Sequence, residues 1–295
     1  MNSDQVIDQY LIYRMKNKIG FNLLPWSAGV SQLTFPLIDR LKKIGYDGIE
    51  CLIGSDDQDA YLQLSKHCQS IGMEITAVFV VGKDHNPIAA EPKVRQQGLD
   101  RIKWAIDRAN DMNCKLICGP FHSAHGHFAY RPATADEWSY CIDIMHQAGA
   151  YAQQGQVVLA LEAVNRFENY LCNTMVQLAD LVAQVNHPNV RAMFDTHHAN
   201  IEEKSMEQAI QHIAPYLAHV HISENDRGTP GKGLVHWDRV FKTLKDLQFD
   251  GWYTIESFSR ADADFANMIN VWREYSDPWE IAEEGYTFIK NNIQS

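Results

Sequence analysis

The sequence predicts an α/β protein folded as one (β/α)8 barrel of the TIM type. Three observations carry that reading. The chain has 295 residues, within the range of a single barrel of this kind. Short apolar runs alternate with stretches of helical periodicity eight times, in units of roughly 30 residues. The apolar runs are nearly continuous, as in strands covered on both faces by helices. Strand–helix alternation implies right-handed crossovers and a parallel sheet, and eight units suggest that the sheet closes.

Taken in order, residues 4–16 read as a short extra helix before the barrel. The first strand is 18–24, followed by a helix at 32–44 with apolar positions at helical spacing. A strand at 48–53 precedes a helix at 60–71, and a strand at 74–81 precedes a long helix at 92–112. The fourth strand, 116–119, is closed by Gly119-Pro120 and followed by the helix 135–153. Strands at 157–162, 190–194 and 218–222 alternate with helices at 174–185, 205–214 and 236–247. The eighth strand is 252–256, and a helix at 278–291 ends the pattern. No linker, low-complexity tract or shift in composition divides the chain, so residues 1–295 read as one domain.

Composition narrows the function. A hydrophobic fraction of 45% supports a sizeable core. The formal charge is −11, from 26 Lys and Arg against 37 Asp and Glu, which argues against nucleic acid as a partner. No run of 18 apolar residues is present, so no membrane span is expected, and Met1-Asn-Ser-Asp-Gln lacks the pattern of a signal peptide. The six cysteines are scattered without a CxxC pair and read as small buried residues in a reducing cytoplasm.

In a barrel of this type the chemistry sits at the C-terminal ends of the strands. The fifth ends in Glu162, the sixth in Asp195, the seventh in His221 and the eighth in Glu256. The spacing is 33 residues from 162 to 195, 26 on to 221 and 35 on to 256, each close to one strand–helix unit. Four neighbouring strands therefore present Glu, Asp, His and Glu at one level. Three carboxylates so placed repel one another unless a cation neutralises them. Three oxygen donors and one imidazole suit an octahedral divalent ion, Mn2+ first, with Mg2+ or Co2+ as alternatives, whereas zinc favours more N and S ligands. Glu168, His198 and Arg227 follow the fifth, sixth and seventh strands and are candidates for reading substrate hydroxyls over such an ion; each alone also reads as an ordinary loop polar group. The seventh strand runs into a polar turn, Ser223-Glu-Asn-Asp-Arg-Gly-Thr-Pro-Gly-Lys-Gly233, which ends it.

Four stretches resemble the ketose 3-epimerases, the D-tagatose, D-psicose (allulose) and L-ribulose 3-epimerases of the sugar isomerase/epimerase barrels. They are Leu161-Glu-Ala-Val-Asn-Arg-Phe-Glu168, Phe194-Asp-Thr-His-His-Ala-Asn-Ile-Glu202, His219-Val-His-Ile-Ser-Glu-Asn-Asp-Arg-Gly-Thr-Pro-Gly231 and Thr254-Ile-Glu-Ser-Phe258. The later Val271-Trp-Arg273 also resembles that family. The resemblance implies that Glu162, Asp195, His221 and Glu256 hold the metal and that Glu162 and Glu256 are also acid–base catalysts. It implies that Glu168, His198 and Arg227 hold the sugar near C1 to C3, and that the enzyme is a homodimer or homotetramer acting on a free ketose. One glutamate would take the C3 proton and the other would return one to the opposite face of a planar enediolate, inverting C3. The stretch Phe121-His-Ser-Ala-His-Gly-His-Phe128 departs from the family pattern, and with Trp26 it is expected to line the far end of the sugar. Its three histidines read as loop residues and not as a second metal site.

Three other readings compete. An aldose–ketose isomerase would use the same residues but move the proton between C1 and C2. A DNA-repair endonuclease of the endonuclease IV type conflicts with the charge of −11 and with a single ligand set. A non-catalytic sugar-binding barrel has no need of two opposed glutamates at one metal.

Overall fold

The computed structural model describes residues 17–294. The helix expected at 4–16 lies outside them. Eight strands, β1 (Lys18–Asn22), β2 (Gly48–Leu52), β3 (Glu74–Val78), β4 (Leu116–Gly119), β5 (Val158–Leu161), β6 (Val190–Asp195), β7 (Leu217–Ile222) and β8 (Trp252–Ile255), close into one barrel in sequence order. Every pair is parallel, and β8 returns to β1 through Lys18↔Trp252 to Phe21↔Ile255. The crossover helices are α1 (Phe35–Ile44), α2 (Gln58–Ile71), α3 (Pro92–Asp111), α4 (Ala135–Gly155), α5 (Met175–Val185), α7 (Met206–Ile213), α8 (Trp237–Asp246) and α10 (Pro278–Gln294). Two short helices, α6 (Thr196–Glu202) and α9 (Ala263–Met268), lie in the loops after β6 and β8.

The helix starts follow local chemistry. Thr134 and Glu137 form a reciprocal capping box for α4, and Thr174 and Gln177 do the same for α5. Asp57 and Ser205 cap α2 and α7. Gly72, at φ 67, ends α2 in the left-handed conformation that costs glycine nothing. The predicted helix at 32–44 begins instead as a 3-10 turn (Gln32–Thr34) capped by Ser31, with α1 following from Phe35. β1 and β3 stop at Asn22 and Val78, sooner than their apolar runs. β3 has only Ala77↔Ile117 and Val78↔Cys118 as partners on β4, so Phe79 and Val81 are buried and Val80 exposed without continuing the sheet.

The two faces of the sheet divide the labour. Outward residues such as Phe21, Ile49, Leu159, Phe194 and Val220 are fully buried against the helices in one large core. At about 1.5–3 kcal/mol per large apolar side chain, that layer carries most of the stabilisation. A second apolar cluster, Val78, Leu116, Cys118, Ala160 and Met193, fills part of the barrel interior. Polar groups share that interior: Asn22, Glu50, Thr76, the Cys118 thiol and His221 meet across the barrel. No helix among the described residues is long and apolar enough to cross a membrane.

Candidate active site

Glu162, Asp195, His221 and Glu256 converge at the C-terminal rim. Glu162 is the first residue past β5. Its N–H donates to the Gly119 carbonyl (3.1 Å), and its own carbonyl accepts from His122 Nε2 (2.8 Å). Gly119 turns the chain there at φ 128, where a Cβ would be driven into the Phe79 carbonyl. Asp195 is both the last residue of β6 and the N-cap of α6. Its Oδ1 accepts from the backbone N–H groups of His197 (2.6 Å) and His198 (3.1 Å), which leaves Oδ2 facing the barrel axis. There Oδ2 lies 3.5 Å from His221 Nδ1. Glu256 follows β8, and its Oε2 lies 3.4 Å from the same nitrogen.

Arg227 enters this cluster from the loop after β7. Its Nη1 donates to Asp195 Oδ2 (3.0 Å), Glu256 Oε2 (2.6 Å) and Ser223 Oγ (2.8 Å). Its backbone sits at φ 63, uncommon for a side-chain-bearing residue and frequent at functional turns. The buried Glu224 carboxylate ties the loop together, accepting from the N–H groups of Gly231 and Gly233 and from Trp237 Nε1.

His198, on α6, accepts the Asn165 N–H at Nδ1 (3.1 Å). The proton of its neutral ring therefore sits on Nε2, 3.5 Å from Glu162 Oε1 and 3.0 Å from Arg227 Nη2. Two donors thus face one another with no acceptor between them. Glu168 Oε1 accepts from Asn165 Nδ2 (2.8 Å), and its Oε2 pairs with His125 Nε2 (3.0 Å). All seven residues singled out in the sequence fall in one continuous network.

The electrostatics follow from burial and neighbours. Burial, then the charges of Asp195 and Glu256, push the Glu162 carboxyl well above the usual carboxylate range. Burial acts the same way on Asp195, but Arg227 and His198 outweigh it and hold that carboxyl well below its ordinary value. Burial would lower His221, yet Glu256 and Glu50 raise it well above the histidine range. Burial also disfavours the charged form of Glu168, but His125, His198 and Arg227 reverse this and lower its pKa.

The residues fit a divalent cation. One ligand atom from each of Glu162, Asp195 and His221 lies within 4.8 Å of the others. Glu162 Oε1 and His221 Nδ1 are buried without a hydrogen-bond partner, an expensive arrangement that a cation would relieve. Carboxylate oxygens with one imidazole are a donor set for a hard ion.

Other groups were not foreseen. Glu50, on β2, accepts from His221 Nε2 at 2.8 Å. The available signal was a lone charge inside the apolar strand Gly48-Ile-Glu-Cys-Leu52. His122, the first of the three loop histidines, is buried and held near pKa 4 by that burial, so it supports the Glu162 backbone as a neutral ring. His125 joins the network through Glu168, and His127 is exposed. Trp26 packs between Phe21 and Trp279 at the end of β1. A cavity of about 880 Å³ opens at the opposite end, beside strand starts such as Glu74, Leu116 and Trp252, and none of the seven residues lines it.

Residues 38–291 match the xylose isomerase-like TIM barrel family. The D-psicose 3-epimerase of Ruminiclostridium cellulolyticum is 31% identical over 252 residues, covering 81% of this chain and 83% of the relative. The L-ribulose 3-epimerase of Mesorhizobium japonicum is 27% identical over 283 residues, covering 94% and 95%. Among solved structures, that of D-allulose 3-epimerase from Methylomonas sp. in complex with D-allulose is similar, with a TM-score of 0.88 at 27% identity, covering 94% of this chain and 98% of that one. The chain belongs to the xylose isomerase-like TIM barrel family, among its ketose 3-epimerases, and is a carbohydrate epimerase.

Proposed function

We propose that the chain epimerises a free ketose at C3 in a reaction that requires a divalent cation, with Glu162 and Glu256 as the two acid–base groups. The observation that carries this reading is the pairing of two unpartnered buried atoms, Glu162 Oε1 and His221 Nδ1, with Asp195 and Glu256 around them. Glu162, Asp195, His221 and Glu256 would hold the ion, with Mn2+ the best match to the donors and Mg2+ or Co2+ next. When bound, such a cation supplies Lewis acidity that stabilises negative charge on the sugar oxygens and acidifies the C3 proton.

The chain's own residues supply the rest. Glu162 and Glu256 come from β5 and β8, with β6 and β7 between them, an order that supports approach to the sugar from two sides. One takes the C3 proton to leave a planar enediolate, and the other returns a proton to the opposite face. Without a cation, burial and two neighbouring carboxylates keep the proton affinity of Glu162 high, and the same crowding favours a cation beside it. Arg227 Nη2 and His198 Nε2 lie 3.0 Å apart, two donors that would both serve a sugar oxygen bound beside them. Glu168 supplies the acceptor for an adjacent hydroxyl. The relatives are epimerases of psicose (allulose) and ribulose, which supports a ketose of five or six carbons. The six cysteines are all unpaired and buried, which supports a reducing, cytoplasmic setting.

The test is NMR of a panel of free ketoses with enzyme and Mn2+ in D2O. Deuterium at C3 with formation of the C3 epimer is the expected result. Deuterium at C1 or C2 with an aldose as product would replace the reading with an aldose–ketose isomerase.

A further inference from the structure

We propose that Glu50 is a positioning residue for the metal centre: it fixes the proton of His221 on Nε2, so that Nδ1 presents its lone pair to the ion. The inference rests on reading Glu162, Asp195, His221 and Glu256 as a metal site, and it concerns a residue one layer deeper in the barrel.

The geometry is specific. His221 Nε2 lies 2.8 Å from Glu50 Oε1. A carboxylate oxygen accepts, so the nitrogen must donate. The competing group on that side, Cys118 Sγ, is 3.7 Å from Nε2. On the other edge of the ring, Nδ1 has no hydrogen-bond partner, and it faces Asp195 Oδ2 at 3.5 Å and Glu256 Oε2 at 3.4 Å. With Nε2 committed to Glu50, only Nδ1 can ligate. The opposite tautomer would put an N–H where the ion must sit.

Glu50 is itself held in place. It is on β2, in register with Asn22 on β1 and Thr76 on β3, and both neighbours bond to it: Asn22 Nδ2 to Oε1 (2.9 Å) and Thr76 Oγ1 to Oε2 (3.0 Å). The Cys118 thiol donates to Oε2 (3.2 Å), and His219 Nε2 lies 3.0 Å from the same oxygen. Glu50, His219 and His221 are wholly buried. A carboxylate in the middle of a barrel costs several kcal/mol in desolvation, which a packed apolar residue would avoid. Here, side chains from β1, β3, β4 and β7 are polar to accommodate it, and the nearer of the two imidazole nitrogens it faces belongs to a proposed ligand. Groups behind a ligating histidine typically change metal affinity 10- to 100-fold.

The experiment compares wild type with Glu50→Gln. The amide keeps the shape but offers either an acceptor or a donor to Nε2, so the tautomer is no longer enforced. Mn2+ affinity is measured by electron paramagnetic resonance of the free ion, without turnover. In parallel, ¹H–¹⁵N spectra of histidine-labelled, Mg2+-loaded protein locate the His221 proton, assigned by its absence from His221→Asn. Expected are an Nε2–H in wild type and a Kd for Mn2+ about 10- to 100-fold weaker in a folded Glu50→Gln protein. A variant Kd within threefold of wild type overturns the inference. So does a wild-type spectrum with the proton on Nδ1, which decides the matter even if the variant fails to fold. Failure of the wild type to bind Mn2+ at all would instead remove the metal site on which the inference stands.

Discussion

Arg227 and Glu256 form a hydrogen-bonded ion pair, Nη1 to Oε2 at 2.6 Å, with both side chains nearly buried. The same guanidinium nitrogen reaches Asp195 at 3.0 Å. Arg227 thus supplies positive charge to the acidic cluster, where the proposed cation would also act.

The metal-free protein is therefore expected to stay folded while losing activity. Chelation by EDTA followed by dialysis should abolish epimerisation and lower Tm. Binding to the folded state alone, at a hundredfold excess over Kd, contributes about 2.7 kcal/mol, a shift of several degrees by calorimetry. Full activity after exhaustive chelation would sink the metal requirement.

Arg227→Ala and Glu168→Gln should each lower kcat/KM by about 10- to 100-fold, the equivalent of one charged hydrogen bond to the sugar. Metal content by elemental analysis should be unchanged in both, and in Arg227→Ala the ion should bind at least as tightly because a competing cation is gone. Loss of the metal in either variant would mean that the residue serves the ion and not the sugar.

Glu162→Gln and Glu256→Gln should each lose epimerisation by a factor of about 10²–10⁴, since an amide neither takes nor gives a proton at neutral pH. Deuterium wash-in at C3 separates two bases from one. A variant that exchanges the C3 proton without inverting the centre supports a base on each face. Near-normal epimerisation by either folded, metal-loaded variant would falsify the role of that glutamate.

Away from the site, Glu137 provides a pH test of stability. Its hydrogen bonds from Arg131, with help from the Thr134 N–H and the Tyr170 hydroxyl, lower its pKa to about 2 against burial. A depressed carboxylate contributes stability above its unfolded pKa and loses it as pH falls through the folded value. Glu137→Gln keeps the capping-box geometry but not the charge. It should cost about 1 kcal/mol near neutral pH, given the half-exposed Arg131 partner. The difference in Tm from wild type should shrink as the pH drops from about 4.5 toward 2. A difference independent of pH over that window would show that the ion pair contributes nothing.

Much of this architecture is legible in the sequence because a parallel barrel repeats one unit, and strand ends one unit apart must land on one rim. That logic reached Glu162, Asp195, His221 and Glu256 through spacing alone. It could not reach Glu50, whose partners come from β1, β3, β4 and β7 and meet only when the barrel closes. Nor did apolar periodicity reveal α6, a helix of seven residues that begins because Asp195 caps it. Asp195-Thr-His-His198 carries a capping signal, yet a residue read as a ligand was not also read as a cap. The ends of β1 and β3 were overrun for a related reason: an apolar run reports burial, whereas a strand also needs a neighbour in register.

The double duty of Asp195 has a consequence for how this enzyme can vary. Its Oδ1 starts α6 and its Oδ2 faces the centre, while His198 sits on the first turn of the same helix. The interval between these two groups is therefore that of one helical turn and owes nothing to loop length. An insertion at this junction would displace both together or uncap the helix, so the β6 end has little freedom to drift. Between β4 and α4, by contrast, His122 and His125 tie the start of the loop to Glu162 and Glu168, so it is at the exposed residues past them, such as His127 and Tyr130, that the loop can lengthen or shorten without disturbing the proton chemistry.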